Sequence, residues 1–484
     1  MVAATVVTRL PGLISGRAFN VDEATLATGG RVLAHGGSLY VDFIDRKPPL
    51  PFALYAIVQR LTGTDDLRPV RLLVAVGVAL TAMVVASEAG RRWGQRAAWV
   101  AGLALVLGAS ALGPHDAQAA NFELFALLPI AVAVVAAARG RAVVAGVALA
   151  AAVLCKQPAA VTAVPVAWSL WRVRQWRGVA VGAGAGAMAA VAMAAPFGIA
   201  LVAKWALLGT GGYLAISLAD LGTAAGRLLA LLALTAGFWG GAWLLAVAPA
   251  EPRSGVREPP VRSLNYARTY GQGDRDLWLL LGASALGVAA GFRFFPHYLI
   301  QLLPALALLA GRGAARRPSW VRPAAAWAGV ASSVALILAA VAAAQGEPRL
   351  QVEVSSYVRA HSRPGERILV WGNVPEIYWR SARQPAGGFP HTEFVTGYSG
   401  GRRHHPASEA NVPDRDLYRR YVARLRRERP VLVLDTAIAK ERGGPLFPLA
   451  RFPAITSFLR SDYHRVATVD KVVVYRLRTA ALPP

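Results

Sequence analysis

A general base needs a carboxylate that can meet a hydroxyl away from bulk water, and a phosphate needs a cation held where it can be reached. The segment Phe19-Asn20-Val21-Asp22-Glu23-Ala24, followed by Gly36-Gly37-Ser38-Leu39-Tyr40-Val41-Asp42-Phe43 and then Asp45-Arg46-Lys47-Pro48-Pro49-Leu50, offers both. The adjacent acids Asp22 and Glu23 are of the type that takes a proton. Lys47, just before a stiff Pro-Pro pair, could set a cation against a phosphate at a membrane surface. The plainer alternative is a solvated loop in which Asp22 only begins a helix. A polar segment lying between membrane elements needs a reason to be there, so its surroundings bear on the choice.

Those surroundings are apolar. Of 484 residues, 55% are hydrophobic and 16% charged, and the charges crowd between long Ala/Val/Leu/Gly runs such as 178–202 and 322–344, which is the composition of a membrane protein. The net charge of +25 would point to nucleic acid in a soluble protein, but here the arginines gather in short loops between apolar stretches, where they set membrane orientation. Nucleic acid is therefore not an expected partner. The single cysteine, Cys155, lies within an apolar run, which excludes an intrachain disulfide and argues against redox chemistry.

Stretches able to cross a bilayer, singly or as tight pairs, fall at about 70–89, 97–113, 120–138, 142–171, 178–200, 222–248, 276–291, 298–311 and 322–344. The run 142–171 is interrupted by Lys156-Gln157-Pro158, which predicts two short helices meeting at a break. Arg91, Arg92 and Arg96, Arg139 and Arg141, Arg172 to Arg177, Arg253 to Arg275 and Arg312 to Arg322 place their loops inside. The loops 15–69, 114–119, 201–221 and 291–297 then lie outside, together with everything after about residue 346. From there the pattern is soluble: a helix at Val352–His361, a strand at Ile368–Trp371, a helix around 414–428, and strands at Val431–Asp435 and Lys471–Leu477. Met1–Ile14 is too short to span and contains Arg9 and Pro11, so it reads as a truncated first helix, as from a start codon assigned too late.

The first outer segment resembles that of the GT-C glycosyltransferases related to protein O-mannosyltransferases and the bacterial aminoarabinose lipid A transferases, a family-39-like group. Those enzymes carry an Asp-Glu pair, a Gly-x-x-Tyr-x-Asp stretch and Lys-Pro-Pro in this order. Ala120-Asn121-Phe122-Glu123, Cys155-Lys156-Gln157-Pro158, Arg293-Phe294-Phe295-Pro296-His297-Tyr298 and Ile368-Leu369-Val370-Trp371-Gly372 continue the likeness along nearly the whole chain. The resemblance implies an α-helical polytopic membrane protein of GT-C fold with about ten to twelve transmembrane helices and a C-terminal extracytoplasmic α/β domain. The domains would be 1–345, a catalytic membrane domain with outer loop 15–69, and 346–484, soluble. It further implies Asp22 as base, Glu123 as a second acid, Glu23 and Asp116 as weaker candidates, and Lys47, Arg293, Tyr298 and Lys156 beside the carrier phosphate. Arg46 stands where aminoarabinose transferases have an acidic metal ligand, so no ligand set for a divalent metal is evident.

Bland readings stand beside these. Lys156 could end a short helix and snorkel to an interface. His297 has no second histidine or carboxylate at metal spacing beside it in the sequence and reads as an interfacial or hydrogen-bonding histidine. His404-His405 with His391 suits acceptor contact or solvation, and Trp371 suits a core better than a sugar platform. No Walker-type loop or dinucleotide fingerprint occurs, in keeping with a reaction outside the cell that uses no nucleotide sugar. The expected activity is transfer of a sugar from a polyprenyl-phosphate donor to a glycan, lipid or protein acceptor at the outer face of the plasma (inner) membrane. The alternatives are a transporter or flippase of lipid-linked sugars, or a non-catalytic envelope assembly protein. The topology is directly testable: a reporter fused after Pro484 should be active in its export-dependent form and silent in its cytoplasm-only form. The reverse pattern would turn the whole assignment over.

Overall fold

The computed structural model describes residues 1–210, 218–247, 275–316, 321–397, 406–439 and 446–478. Four helices among the described residues are long and apolar enough to cross a membrane: Arg68–Trp93, Gln157–Phe197, Pro296–Ala315 and Pro323–Ala360. The bent pair Asp220–Ala233 and Thr235–Val247 makes a fifth if it is one span, and Val2–Ile14, Gln95–Gly108, Phe122–Ala138 and Ala142–Cys155 are apolar but shorter. The chain is thus a multi-pass membrane protein. Length and hydropathy give fewer spans among the described residues than the ten to twelve expected, because several apolar stretches form short helices that would need tilt or a thinned bilayer to cross.

Helix ends follow local rules. Helix α1 (Val2–Ile14) is followed by α2 (Val21–Ala34), whose N-cap Asn20 accepts from Glu23 N at 2.9 Å. Helix α3 (Leu50–Thr62) starts behind Pro49 and stops at Gly63, φ 65°, where a left-handed residue closes the last turn. Helices α2 and α3 therefore occupy the segment 15–69 that the sequence leaves as a loop. Helix α4 (Arg68–Trp93) ends with Arg91 and Arg92 in its last turn. There buried Glu88 pairs with Arg92 at 2.8 Å and Arg139 at 3.1 Å, and Arg92 also meets Asp276 at 2.7 Å. Loops expected on one side are thus joined at one end of the bundle.

Helices α5 (Gln95–Gly108), α6 (Pro114–Gln118), α7 (Phe122–Ala138) and α8 (Ala142–Cys155) follow. The break at Lys156 is present, with extended backbone (φ −155°, ψ 122°) and a 3-10 turn over Gln157–Thr162. The helix beyond it is short as well, because it is interrupted at Gln175. Helix α9 (Ala163–Ala194) is two helical segments joined by a kink at Gln175, φ 54° and ψ −156°. A Cβ at Gly146 of α8 would lie 2.0 Å from the Gly182 carbonyl oxygen of α9, so only glycine permits this approach.

Residues 349–477 build a five-stranded sheet of order β2-β1-β3-β5-β4: β1 Arg367–Trp371, β2 Gln384–Pro385, β3 Leu432–Asp435, β4 Tyr463–Val469, β5 Val472–Leu477. β1 runs parallel to β2 and β3, and its continuous apolar run fits a strand covered on both faces. Arg349–Ala360 supplies Val354 and Val358 to one face; Arg415–Glu428 and Pro453–Asp462 supply Tyr421, Leu425, Ile455 and Phe458 to the other. The sheet unit sits directly on segment 15–69. Ile44 N donates to Gly388 O at 2.8 Å, Arg31 donates to the Tyr378 and Trp379 carbonyls at 2.7 and 3.0 Å, and Trp379 Nε1 donates to Asp65 O at 3.0 Å.

Below that seat lies a buried ion pair. Glu23 takes both Arg71 contacts, Nε at 2.8 Å and Nη2 at 2.7 Å, and also accepts from Phe19 N at 2.9 Å and Ala120 N at 2.8 Å. Arg71 in turn donates to the Gly12, Ser15 and Arg17 carbonyls. The pair side chains are 2% and 0% exposed, so removing one partner strands a buried charge. Glu23→Gln should therefore destabilise the protein by about 3–5 kcal/mol, read as a lowered melting temperature in detergent. An unchanged melting temperature would show that the pair carries no such load.

Candidate active site

Two Asn-apolar-acid tripeptides place the acids. Asn20 caps α2 and Asn121 caps α7, where Asn121 accepts from Leu124 N at 3.3 Å; Asp22 and Glu123 each follow their cap by two residues, on helix N-termini that favour negative charge. The two caps are tied to one another through Asp116. Asn20 Nδ2 donates to Asp116 Oδ1 at 3.3 Å and Asn121 Nδ2 to Asp116 O at 3.1 Å.

The cations come from elsewhere. Lys47 is held by its backbone, which donates through N to Asp45 Oδ1 at 3.1 Å and accepts at O from Tyr40 Oη at 2.8 Å; Tyr40 stands at φ 68°. Its Nζ pairs with Asp22 Oδ1 and lies 4.3 Å from the centre of the Phe122 ring. Lys156, projecting from the break after α8, pairs with Glu123 Oε1 at 2.7 Å and lies 5.5 Å from Phe122 and 5.0 Å from Tyr298. Gln157 next to it donates to Arg46 O at 2.8 Å and Ala206 O at 3.0 Å, which fixes the Lys47 turn against the broken helix. Burial alone would push the Asp22 carboxyl up, but Lys47, His297 and Lys156 outweigh it and hold it well below the usual carboxylate range. Burial alone would lower the Lys47 ammonium, yet Asp22 and Asp45 raise it above its ordinary value. Both shifts run outward, so this pair stays ionised through the neutral range.

His297 lies at the centre. Its Nδ1 donates to Asp116 Oδ1 at 2.6 Å, and its Nε2 is 3.8 Å from Asp22 Oδ2 and 3.8 Å from Glu123 Oε1. The hydrogen-bonding reading of this histidine agrees with its Asp116 contact, but its place among the acids was not anticipated, because its carboxylate partners come from separate segments. Lys156 likewise makes a buried pair and does not end in an interface. Arg293 is 1% exposed on a turn whose Phe292 and Phe294 have φ of 51° and 46°, a strained stretch next to the site. Of the named candidates, Asp22, Asp116, Glu123, Lys47, Lys156 and Tyr298 are joined with His297 in one cluster; Glu23 is turned to Arg71. No group of three or more His, Cys, Asp or Glu among the described residues is placed to hold a metal ion, and Arg46 sits 4.4 Å over the Phe394 ring. His404-His405 lie outside the described residues, while His391 bonds Thr25 at 2.9 Å and Asn373. Trp371 is fully buried and donates to Phe447 O at 2.9 Å, a core position.

An apolar cavity of about 410 Å³ opens beside the cluster, between α8 and α9, from Pro48 and Gln157 along Leu149, Val153, Ala183 and Ala187. Pro48, which lines the cavity, directly follows Lys47 in the chain.

No family model and no curated protein matches the sequence. Solved structures do. The chain is similar to ArnT from Cupriavidus metallidurans bound to undecaprenyl phosphate, with TM-score 0.60 at 15% identity, covering 100% of this chain and 98% of that one. The apo form of ArnT gives 0.59 at 14% identity over 98% and 96%. The archaeal oligosaccharyltransferase AglB from Archaeoglobus fulgidus, in complex with an inhibitory peptide and a dolichol-phosphate, gives 0.53 at 11% identity over 100% of this chain and 74% of that one. At such identities the likeness concerns backbone architecture, and it shows that this chain has the fold of the GT-C glycosyltransferases.

Proposed function

We propose that the chain is an integral membrane glycosyltransferase that moves a sugar from a polyprenyl-phosphate donor to a glycan, lipid or protein acceptor at the outer face of the membrane. The observation that carries this reading is that Lys47 is followed directly by Pro48, a lining residue of the apolar cavity: a donor with a charged phosphate and a long hydrocarbon tail needs a cation and an apolar path close together, and the tail would reach them sideways from the bilayer. The two solved neighbours bound to undecaprenyl phosphate and dolichol-phosphate support the same donor class.

In this reaction Asp22 takes the proton from the acceptor hydroxyl as its oxygen attacks the anomeric carbon. The bond from that carbon to the phosphate oxygen breaks, and Lys47 stabilises the departing phosphate. A single displacement inverts the anomeric configuration. The resting Asp22–Lys47 pair fits this sequence, since an arriving phosphate competes for Lys47 and frees Oδ1 of a carboxylate that is already ionised. Lys156 pairs with Glu123 near the same Phe122 ring and balances its charge.

Asp22→Asn keeps shape and hydrogen bonding but cannot accept the proton, so transfer should fall about a hundred- to ten-thousandfold with donor binding nearly intact. Lys47→Ala should weaken donor use about ten- to a hundredfold, the worth of one charge-assisted contact. Ala183→Trp, which fills the cavity without touching the polar cluster, should raise the donor KM and leave the cluster folded. Purified protein with undecaprenyl-phosphate sugars as probes measures all three. Full transfer by Asp22→Asn would remove the base, and an unchanged KM in Ala183→Trp would remove the cavity from the donor path.

A further inference from the structure

The two oxygens of Asp22 face different partners. Oδ1 pairs with Lys47, and Oδ2 lies 3.8 Å from His297 Nε2, within ion-pair range but beyond a hydrogen bond, which a small movement of either side chain would form. The imidazole is fixed on several sides: Nδ1 donates to Asp116 Oδ1 at 2.6 Å, Phe295 stacks on the ring at 5.7 Å between centroids and 8° between planes, and Tyr298 meets it edge-on at 4.9 Å. Asp116 is held in turn by Asn20, the cap of the helix that carries Asp22. With Nδ1 committed to Asp116, Nε2 is the ring nitrogen directed at Asp22 and at Glu123. The charged groups around the ring are Asp22 from α2, Asp116 from α6 and Glu123 from α7, with Lys47 and Lys156 one contact further out.

Resting on the reading of Asp22 as base, we infer that Asp116 and His297 form a positioning pair that holds Asp22 Oδ2 while the donor phosphate draws Lys47 away from Oδ1. One carboxylate oxygen stays anchored and the other is presented to the acceptor hydroxyl, whose proton it receives. Without that anchor, Asp22 loses its orientation at the moment its other partner leaves, and a misplacement on the order of 1 Å costs about a hundredfold in rate. His297 acts through Asp22 and is not itself the proton acceptor.

The test uses the full chain in lipid nanodiscs, with release of undecaprenyl phosphate from undecaprenyl-phosphate hexoses or pentoses as the rate and binding of undecaprenyl phosphate alone as the affinity. His297→Gln and Asp116→Asn should each lower kcat about ten- to a hundredfold with donor KM and undecaprenyl phosphate affinity nearly constant, and the double variant should be little worse than either. His297→Gln should retain more activity than His297→Ala, because its amide can still donate to Oδ2. Melting temperatures are read in parallel. Loss of kcat that tracks loss of melting temperature or of undecaprenyl phosphate affinity would overturn the positioning role. Asp22→Asn separates this inference from the reading beneath it: an inactive Asp22→Asn beside a fully active His297→Ala removes the positioning pair alone, whereas an active Asp22→Asn removes the base itself.

Discussion

The buried Glu23–Arg71 pair is the constraint from which the site follows. Arg71 projects from α4 and satisfies the Gly12, Ser15 and Arg17 carbonyls where α1 ends, groups that would otherwise lie unpaired in an apolar setting. Glu23 answers its charge and collects the backbone N–H groups of Phe19 and Ala120. One ion pair thus ties the ends of α1 and α2, the side of α4 and the turn before α7. Because Asp22 is the neighbour of Glu23 and Glu123 lies three residues after Ala120, fixing this node fixes both acids of the cluster. A buried pair of this kind is costly to desolvate, and its return here is the position of other groups, not stability alone.

Two adjacent carboxylates accordingly do different work. Glu23 spends its acceptor capacity on four donors inside the protein, while Asp22, among the described residues, meets side chains that a substrate could displace or join: Lys47 and His297. The difference comes from their positions on α2, where successive residues turn by about 100°. Around Asp22 the carboxylates Asp116 and Glu123 are matched by Lys47, Lys156 and His297, so charges stay paired in a place where an unpaired one would be expensive. The sheet unit completes the frame from the other side. His391 reaches Thr25, one turn along α2 from Asp22, and Glu393 lies 4.0 Å from Arg46, the neighbour of Lys47.

Much of this was legible in order and little of it in space. The Asp22-Glu23, Lys47-Pro48-Pro49 and Lys156-Gln157-Pro158 signals located the break, the turn and the acids, and the apolar strands Ile368–Trp371 and Leu432–Asp435 were plain because a doubly covered strand reads as a continuous hydrophobic run. Strand β4 escaped because it is a mostly exposed edge strand carrying His464 and Arg465, and its link to β5 uses Asp470 and Lys471 at φ 42° and 66° in place of a glycine. Which acid faces the cluster could not be read, since both belong to one dipeptide and the deciding partner, Arg71, lies 48 residues away. His297 was undervalued for the same reason: its three carboxylates come from positions 22, 116 and 123. The repeated Asn-apolar-acid caps were the local signal available for Glu123.

The account stands on a lipid-phosphate sugar as the donor. Lipid extracts from cells lacking this chain, compared by mass with those of the parent strain and of strains complemented by wild type or Asp22→Asn, address it most directly. The account expects a polyprenyl-phosphate-linked sugar to accumulate in the deletion, to return to the parent level with the wild-type chain, and to remain high with Asp22→Asn. Extracts in which no polyprenyl-phosphate sugar changes between parent and deletion would contradict it.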